Sequence, residues 1–274
     1  MNLALDIGAT NTRIALVEKT NIKQRIKTFT PRKRSEIIKR IIELIQNYKD
    51  YSSICISIAG VEIKGRIQNA LNMDINNVPL GRILKSKFKR NIYLENDARC
   101  AGIAELTYGA GKIFNNFILL TLGTGIGGAI FVNGKLYRGT GAAGEIGSMF
   151  IDNKIFEHLA SGNASLVLAK HSGLINISSK DLEDLAKKGN KKVLKNYNKI
   201  GHFLGIGLAN LAYIFSPEVF IIGGGFSKVK YIYPEAIKTL KELYKLSPRP
   251  KIIKAKFGDD AGLIGAALLP KYKY

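Results

Sequence analysis

Two short clusters of glycine and threonine, Asp6-Ile-Gly-Ala-Thr-Asn-Thr12 and Leu122-Gly-Thr-Gly-Ile-Gly-Gly128, lie on either side of a carboxylate at Asp97, within Glu95-Asn96-Asp97. Each cluster follows an apolar run of strand character, Asn2 to Asp6 and Phe117 to Leu122. Glycine lets a backbone come within hydrogen-bonding distance of a ligand, and successive amides in a tight turn make a concavity that suits anions. Threonine hydroxyls add further donors. A carboxylate between two such turns can take the proton of an attacking hydroxyl, so these residue types point to phosphoryl transfer, a reaction that depends on positioning and charge neutralisation.

Gly123, Gly125 and Gly128 also satisfy G-x-G-x-x-G, the dinucleotide fingerprint. That fingerprint needs a helix straight after the glycines to present its N-terminus to a pyrophosphate. Here Ala129-Ile-Phe-Val132 and Asn133-Gly134 follow, which read as a strand and a hairpin turn. Neither Gly111-Lys112 nor Gly134-Lys135 has the upstream glycine and following Ser or Thr of a P-loop. Phosphate is therefore expected at β-hairpin turns.

Those turns need strands to hold them. Asn2 to Gly8, Thr12 to Val17 and Asn21 to Thr28 read as a meander, followed by a helix at Ser35 to Tyr48, where Ile recurs at 37, 38, 41, 42 and 45. Ser52 to Ala59 is a buried strand, Val78 to Phe88 a helix, Asn91 to Glu95 a strand and Asp97 to Tyr108 a helix. The pattern of strand, Gly/Thr turn and strand recurs at Phe117 to Leu122 and Ile126 to Val132, as expected of duplicated lobes. Helices follow at Ser179 to Lys188 and Lys191 to Phe215, then a strand at Glu218 to Ile222 and the turn Gly223-Gly224-Gly225. Tyr231 to Leu246 reads as a helix, Lys251 to Lys256 as a strand and Asp260 to Leu269 as a helix. A short hinge near Gly109 to Gly111 would separate the lobes.

The 274 residues, 46% hydrophobic, suffice for a substantial core. The 42 basic and 21 acidic residues give a formal charge of +21. The basic residues are dispersed through Lys23 to Arg40, Arg82 to Arg90, Lys187 to Lys199 and Lys228 to Lys256, which reads as solvated helix faces, with no nucleic-acid partner expected. No apolar stretch approaches the roughly 20 residues of a membrane span. The N-terminus lacks the basic start and cleavage site of a leader, so a cytoplasmic protein with no membrane partner is expected. Cys55 and Cys100 read as buried thiols.

The chain resembles the ROK sugar kinases, within the superfamily of actin-like ATPases, on seven motifs in family order: Leu5-Asp-Ile-Gly-Ala-Thr10, Glu95-Asn-Asp-Ala98, Leu122-Gly-Thr-Gly-Ile-Gly-Gly128, Gly141-Ala-Ala-Gly-Glu-Ile-Gly147, Ala160-Ser-Gly162, Ile222-Gly-Gly-Gly225 and Asp260-Ala-Gly-Leu-Ile-Gly-Ala266. The resemblance implies an α/β, two-lobed actin-like ATPase (ribonuclease H-like) fold. Each lobe would hold a mixed sheet flanked by helices, with the active site in the interlobe cleft. Residues 1–110 plus 259–274 would form the smaller lobe and 111–258 the larger. The implied activity is ATP-dependent phosphorylation of a hexose at its C6 hydroxyl, by a homodimer using Mg²⁺.

Carried over residue by residue, the resemblance makes Asp97 the general base, kept ionised by the amides at a helix start. Asp6 would stand beside the phosphates and Mg²⁺, directly or through water. Gly8, Thr10, Asn11, Thr12, Gly123, Thr124 and Gly125 would cradle phosphate, and Gly223, Gly224 and Gly225 would lie against adenosine. Gly60, Asn72, Asn96, Asp97, Glu145 and Glu157 would line the sugar site, with Asn69 and Asn76 as alternatives to Asn72. The chain departs from the family pattern at Ser148, where many members carry His, and it has no Cys between Met149 and Glu157. Structural zinc is therefore not expected, and an N-acetylhexosamine such as N-acetylglucosamine or N-acetylmannosamine, or fructose, becomes an alternative acceptor. His158, His171 and His202 do not restore the motif by spacing. A different class, the sugar-sensing regulator, stays open beside the kinase. The DNA-binding form of it would need a helix-turn-helix ahead of the first strand.

Overall fold

In the computed structural model, which describes residues 1–70 and 73–272, the chain falls into two units. The first comprises Met1–Ile113, Leu136–Ala143 and Asp259–Tyr274, and the second Phe114–Lys135 and Gly144–Gly258.

The first unit opens with β1 (Asn2–Ile7), β2 (Asn11–Glu18) and β3 (Asn21–Phe29), an antiparallel meander, followed by α1 (Arg34–Gln46) and β4 (Ser53–Ile58). A small hairpin, β5 (Val61–Ile63) and β6 (Arg66–Gln68), precedes α2 (Leu80–Phe88), β7 (Asn91–Asn96) and α3 (Asp97–Tyr108). The sheet order is β3-β2-β1-β4-β7, with β4 parallel to both β1 and β7. Leu3, Leu5 and Ile7 of β1 and Ile54, Ile56 and Ile58 of β4 are fully buried, because central strands covered on both faces are apolar throughout. The edge strand β3 instead carries Lys23, Gln24, Arg25 and Lys27 in exposed positions, a charged edge that discourages pairing with another sheet. The isoleucine periodicity of α1 places Ile37, Ile41 and Ile45 in the core.

A second sheet, drawn mainly from the second unit, repeats the plan. β8 (Phe117–Leu122), β9 (Ile126–Val132) and β10 (Lys135–Tyr137) lead, through short β11 (Phe150–Ile151) and β12 (Lys154–Ile155), to α4 (Glu157–Ala160), α5 (Gly162–His171), α6 (Ser179–Lys187) and α7 (Lys191–Phe215). Then come β13 (Val219–Gly223), α8 (Tyr233–Leu243) and β14 (Lys251–Lys254). Its sheet order is β10-β9-β8-β13-β14, with β8 parallel to β13 and β13 to β14. Both sheets thus begin with a three-strand meander and continue with two parallel strands, the recurrence expected from the two Gly/Thr turns. A capping box between Ser178 and Asp181 starts α6, and the Asn190 side chain starts α7.

The closing helix, α9 (Ala261–Leu268), belongs to the first unit and packs against α3, β1 and β4. A Cβ at Gly265 would collide with the Cys100 carbonyl, so only glycine lets α9 approach α3 so closely.

Several boundaries differ from the sequence reading. The helix expected from Val78 starts at Leu80, because Pro79 disfavours helical backbone at Val78 before it and itself stands at the cap. The helix expected over Tyr231 to Leu246 is shorter, and Lys230–Ile232 forms a separate 3₁₀ turn. Helices α4 and α5 and the hairpins β5–β6 and β11–β12 went unread, being short or weakly periodic.

Candidate functional site

In the first unit, Asp6 ends β1 and is 8% exposed. Ser57 of β4 donates its hydroxyl to Asp6 Oδ1 at 2.8 Å, and Arg13 Nη2 lies 2.7 Å from Oδ2. Arg13 is the residue paired directly across the hairpin from Asp6, which is why the two meet. Burial raises the pKa of Asp6 above its ordinary 3.8, and the Arg13 charge and the Ser57 hydroxyl offset part of that rise.

The turn beyond β1 is held from below. Gly8 N donates to Asn11 O at 3.0 Å, Thr30 N to Thr10 O at 3.0 Å, and Thr30 Oγ1 to Gly8 O at 2.7 Å. Thr12 is 2% exposed and its hydroxyl meets that of Thr30 at 2.9 Å. Thr10 is exposed and Asn11 half-buried, so these two stand at the accessible side of the turn while Thr12 and Thr30 brace it.

Asp97 is the first residue of α3 and is half-buried, with Oδ1 accepting from Ala98 N at 2.8 Å. Asn96 caps the helix by accepting from Arg99 N at 3.1 Å, and its own amide donates to Gly60 O at 3.2 Å. Gly60, Asn96 and Asp97 are thereby held together by the cap. Burial first, then the carboxylates of Glu95, Asp6 and Asp97, push the Cys100 thiol well above its ordinary pKa. The strand register sets Asp6 of β1, Ser57 of β4 and Glu95 of β7 abreast of one another. Burial alone pushes Cys55 up to about 12, and both thiols are free and buried.

Beneath this cap lies a buried charge cluster that the sequence reading missed. Glu95 Oε1 accepts from Asn96 N at 2.9 Å and from Arg99 Nη1 at 3.2 Å, while Oε2 accepts from Arg138 Nε at 2.9 Å. Arg99 Nη2 donates to the carbonyls of Gly141 and Ala143, both at 2.7 Å. Breaking a buried pair from one side costs about 3 to 5 kcal/mol. The four-residue spacing of Glu95, at the end of β7, and Arg99, in the first turn of α3, was the one signal in the sequence.

In the second unit the β8–β9 turn, Gly123-Thr124-Gly125, is fixed by Gly123 N donating to Gly125 O at 3.0 Å. The start of α5 closes over it, with Gly162 N donating to Gly123 O at 2.8 Å and Asn163 N to Thr124 O at 3.2 Å. Glu157 Oε2 accepts from Ile126 N at 3.2 Å, and a Cβ on Gly125 would run into that carboxylate. Glu157 is thus brought to the glycine turn rather than out onto a helix surface. Gly224 has φ +86° and lies against the backbone of Leu122, where any side chain would clash, whereas Gly225 faces open space.

Glu145, half-buried, precedes the 3₁₀ turn Ile146–Ser148. Gly144 on one side has φ +95°, and a Cβ there would stand 2.8 Å from Gly128 O. Gly147 on the other side abuts Ile126 O. Both flanking glycines are therefore required by the backbone of β9, which explains the glycine-rich setting of this glutamate. Ser148 is exposed, as are His158, His171 and His202. Asn72 lies outside the described residues; of its alternatives, Asn76 accepts from Ala70 N at 2.9 Å. Among the described residues, no set of three or more His, Cys, Asp or Glu side chains is grouped as for a metal ion. No described helix is long and apolar enough to cross a membrane.

Comparison with known proteins gives the relatives of this chain. A glucokinase of Streptomyces coelicolor is 29% identical over 309 aligned positions, spanning 99% of this chain and 98% of that one. An N-acetyl-D-glucosamine kinase of Haemophilus influenzae is 27% identical, covering 98% and 99%. The crystal structure of a ROK family glucokinase from Streptomyces griseus, in complex with glucose and AMPPNP, superimposes with a TM-score of 0.87 at 26% identity over 98% of both chains. The actin-like ATPase fold expected from the motifs is the fold shared with these kinases, and the ROK family model matches residues 2–273. With that match covering nearly its whole length, the chain belongs to the ROK family.

Proposed function

We propose that this ROK chain is a hexose kinase that moves the γ-phosphoryl group of ATP to a sugar hydroxyl, at C6 when a hexopyranose is the acceptor. The observation that carries the reading is the seat of Asp97. It is half-buried at the first position of a capped helix, beside Asn96 and Gly60, and two residues beyond Glu95, which the strand register sets abreast of Ser57 and Asp6. A carboxylate there can orient a hydroxyl and collect its proton as the oxygen bonds to the γ-phosphorus and ADP leaves; in a loose transition state the proton moves late, so a weak base suffices.

Thr10, Asn11 and the Gly8 turn would face one part of the triphosphate, and Gly123, Thr124 and Gly125 another. Gly223 to Gly225 would take adenosine, with Gly225 offering open backbone. Asn96, Glu145 and Glu157 would accept or donate to sugar hydroxyls. Mg²⁺ is held by oxygen and usually keeps several of its waters. Both Asp6 oxygens already have partners, Ser57 and Arg13, so the donor set fits a hydrated ion hydrogen-bonded to the remaining lone pairs. When bound, the ion would neutralise charge on the phosphates. Asp6 would orient its waters, and Arg13 would keep Asp6 in place.

Ser148 leaves the position after Gly147 open to solvent, which supports a pocket tolerant of substituents on the sugar ring. The similarity to both a glucokinase and an N-acetyl-D-glucosamine kinase supports the same breadth. A homodimer, acting in the cytoplasm, belongs to the same proposal.

A coupled assay of ADP release across glucose, mannose, fructose, glucosamine, N-acetylglucosamine and N-acetylmannosamine tests the reading, together with Asp97→Asn. The variant should bind sugar and ATP as the parent does while turnover falls by about 10² to 10⁴, the usual contribution of general-base assistance. Activity within a few-fold of the parent contradicts the assignment.

A further inference from the structure

We infer that Arg99 is a positioning residue that sets the sugar-binding side of the site without touching substrate. The inference rests on the kinase reading above and extends it to a residue no motif marks. The guanidinium of Arg99 is 3% exposed and holds three acceptors at once: Glu95 Oε1 at 3.2 Å and the carbonyls of Gly141 and Ala143 at 2.7 Å each. Glu95 Oε1 in turn accepts from the backbone of Asn96, whose side chain reaches Gly60 O and caps the helix that begins at Asp97. Arg138 Nε closes the cluster from the far side of Glu95. One planar cation therefore joins the group Gly60, Asn96 and Asp97 to the peptide that runs, two residues later, into Glu145.

The geometry requires arginine. Its nitrogens lie in a fixed fork and can serve a carboxylate and two carbonyls together, whereas the lysine ammonium is a compact point charge on a flexible stem and cannot span the same three acceptors. The tie is one-sided with respect to ligands. Its partners are sugar-side groups and the loop before Glu145, while the Gly123 to Gly125 turn and Gly223 to Gly225 are held by contacts of their own. Loss of Arg99 should therefore loosen the acceptor sugar and leave ATP untouched, and a displacement on the order of 1 Å at reacting groups costs about 10²-fold in rate.

The test is steady-state kinetics of the whole chain carrying Arg99→Lys, with thermal unfolding and amide hydrogen exchange on the same samples. The expected result is a fall of about 10²-fold in kcat/KM for sugar with KM for ATP within threefold of the parent, and exchange at residues 138–147 at least tenfold faster while the β8–β9 turn is unchanged. Gly141→Ala perturbs the same tie while leaving the guanidinium in place, because φ there is +127° and a Cβ would stand 3.2 Å from Ile63 Cγ1; it should give the same asymmetry even if Arg99→Lys does not fold. Equal rises in both KM values, or unchanged sugar kinetics in a folded variant, overturn the inference. The exchange measurement needs no turnover. If the parent phosphorylates no sugar, the kinase reading fails, while unaltered exchange at 138–147 refutes the positioning role separately.

Discussion

Gly144→Ala is the substitution whose consequence follows most directly from the coordinates. Gly144 has φ +95°, a conformation that costs a residue with a side chain about 1 to 3 kcal/mol. Its Cβ would stand 2.8 Å from Gly128 O and 3.4 Å from Gly128 C, and these are sheet backbone atoms of β9, with no flexible side chain to move aside. Forcing a group into packed surroundings costs a further 1 to 3 kcal/mol or so, which puts the total at about 2 to 5 kcal/mol after partial relaxation. The segment can relax only by moving Glu145 with it, so sugar KM should rise about tenfold alongside the loss of stability. Gly173→Ala is the control, since φ is +83° but nothing lies within 4 Å of the new methyl; it bears the backbone cost alone. Chemical denaturation of both variants isolates the steric contribution, and steady-state kinetics reads the displacement. If Gly144→Ala is no less stable than Gly173→Ala and its sugar KM is within twofold of the parent, the reasoning about this turn is refuted.

Gly125→Ala should behave in the opposite way: its methyl would meet the carboxylate end of Glu157, which can swing, so stability should change by less than about 1 kcal/mol while sugar kinetics worsen several-fold. Equal loss of stability in the two alanine variants would count against this contrast. Asp6 predicts a pH dependence. Its folded pKa lies above 3.8, so the folded state holds the proton more tightly, and stability falls as pH rises from about 3.8 through the raised value. Asp6→Asn removes that slope, so its stability relative to the parent should climb over the same window and then level off; a flat or falling difference in urea titrations at successive pH values would exclude it.

The turns and the helix start that carry the candidate residues were readable in the sequence. The Gly/Thr clusters do end β1 and β8, and Asp97 does open a helix. Contacts that end on backbone atoms left no trace. The carbonyls of Gly141 and Ala143 that hold Arg99 could belong to any residue type, and the need for glycine at 144 comes from Gly128, a neighbour across the sheet rather than along the chain. The Asp6–Arg13 pair lay between these cases. It follows from the register of the first hairpin, which places the two opposite each other, once the turn is set at Gly8 to Thr10. Thr12 has a partner that no motif includes, since its hydroxyl meets that of Thr30. Helix α5 was missed because small residues at its start, Gly162 and Asn163, are there to lie against the glycine turn and weaken its amphipathic signal.

The packing of α9 against β1, β4 and α3 bears on how the protein is born. A ribosome delivers the strands of this sheet well before α9, so after α3 emerges about 150 further residues must be translated, which takes roughly 8 to 30 s at the usual pace of about 5 to 20 residues per second. Through that interval the nascent first unit presents an uncovered apolar face, the natural substrate of a chaperone that binds polypeptides still in synthesis. Its maturation is then timed by the arrival of α9, whatever the intrinsic speed of its sheet.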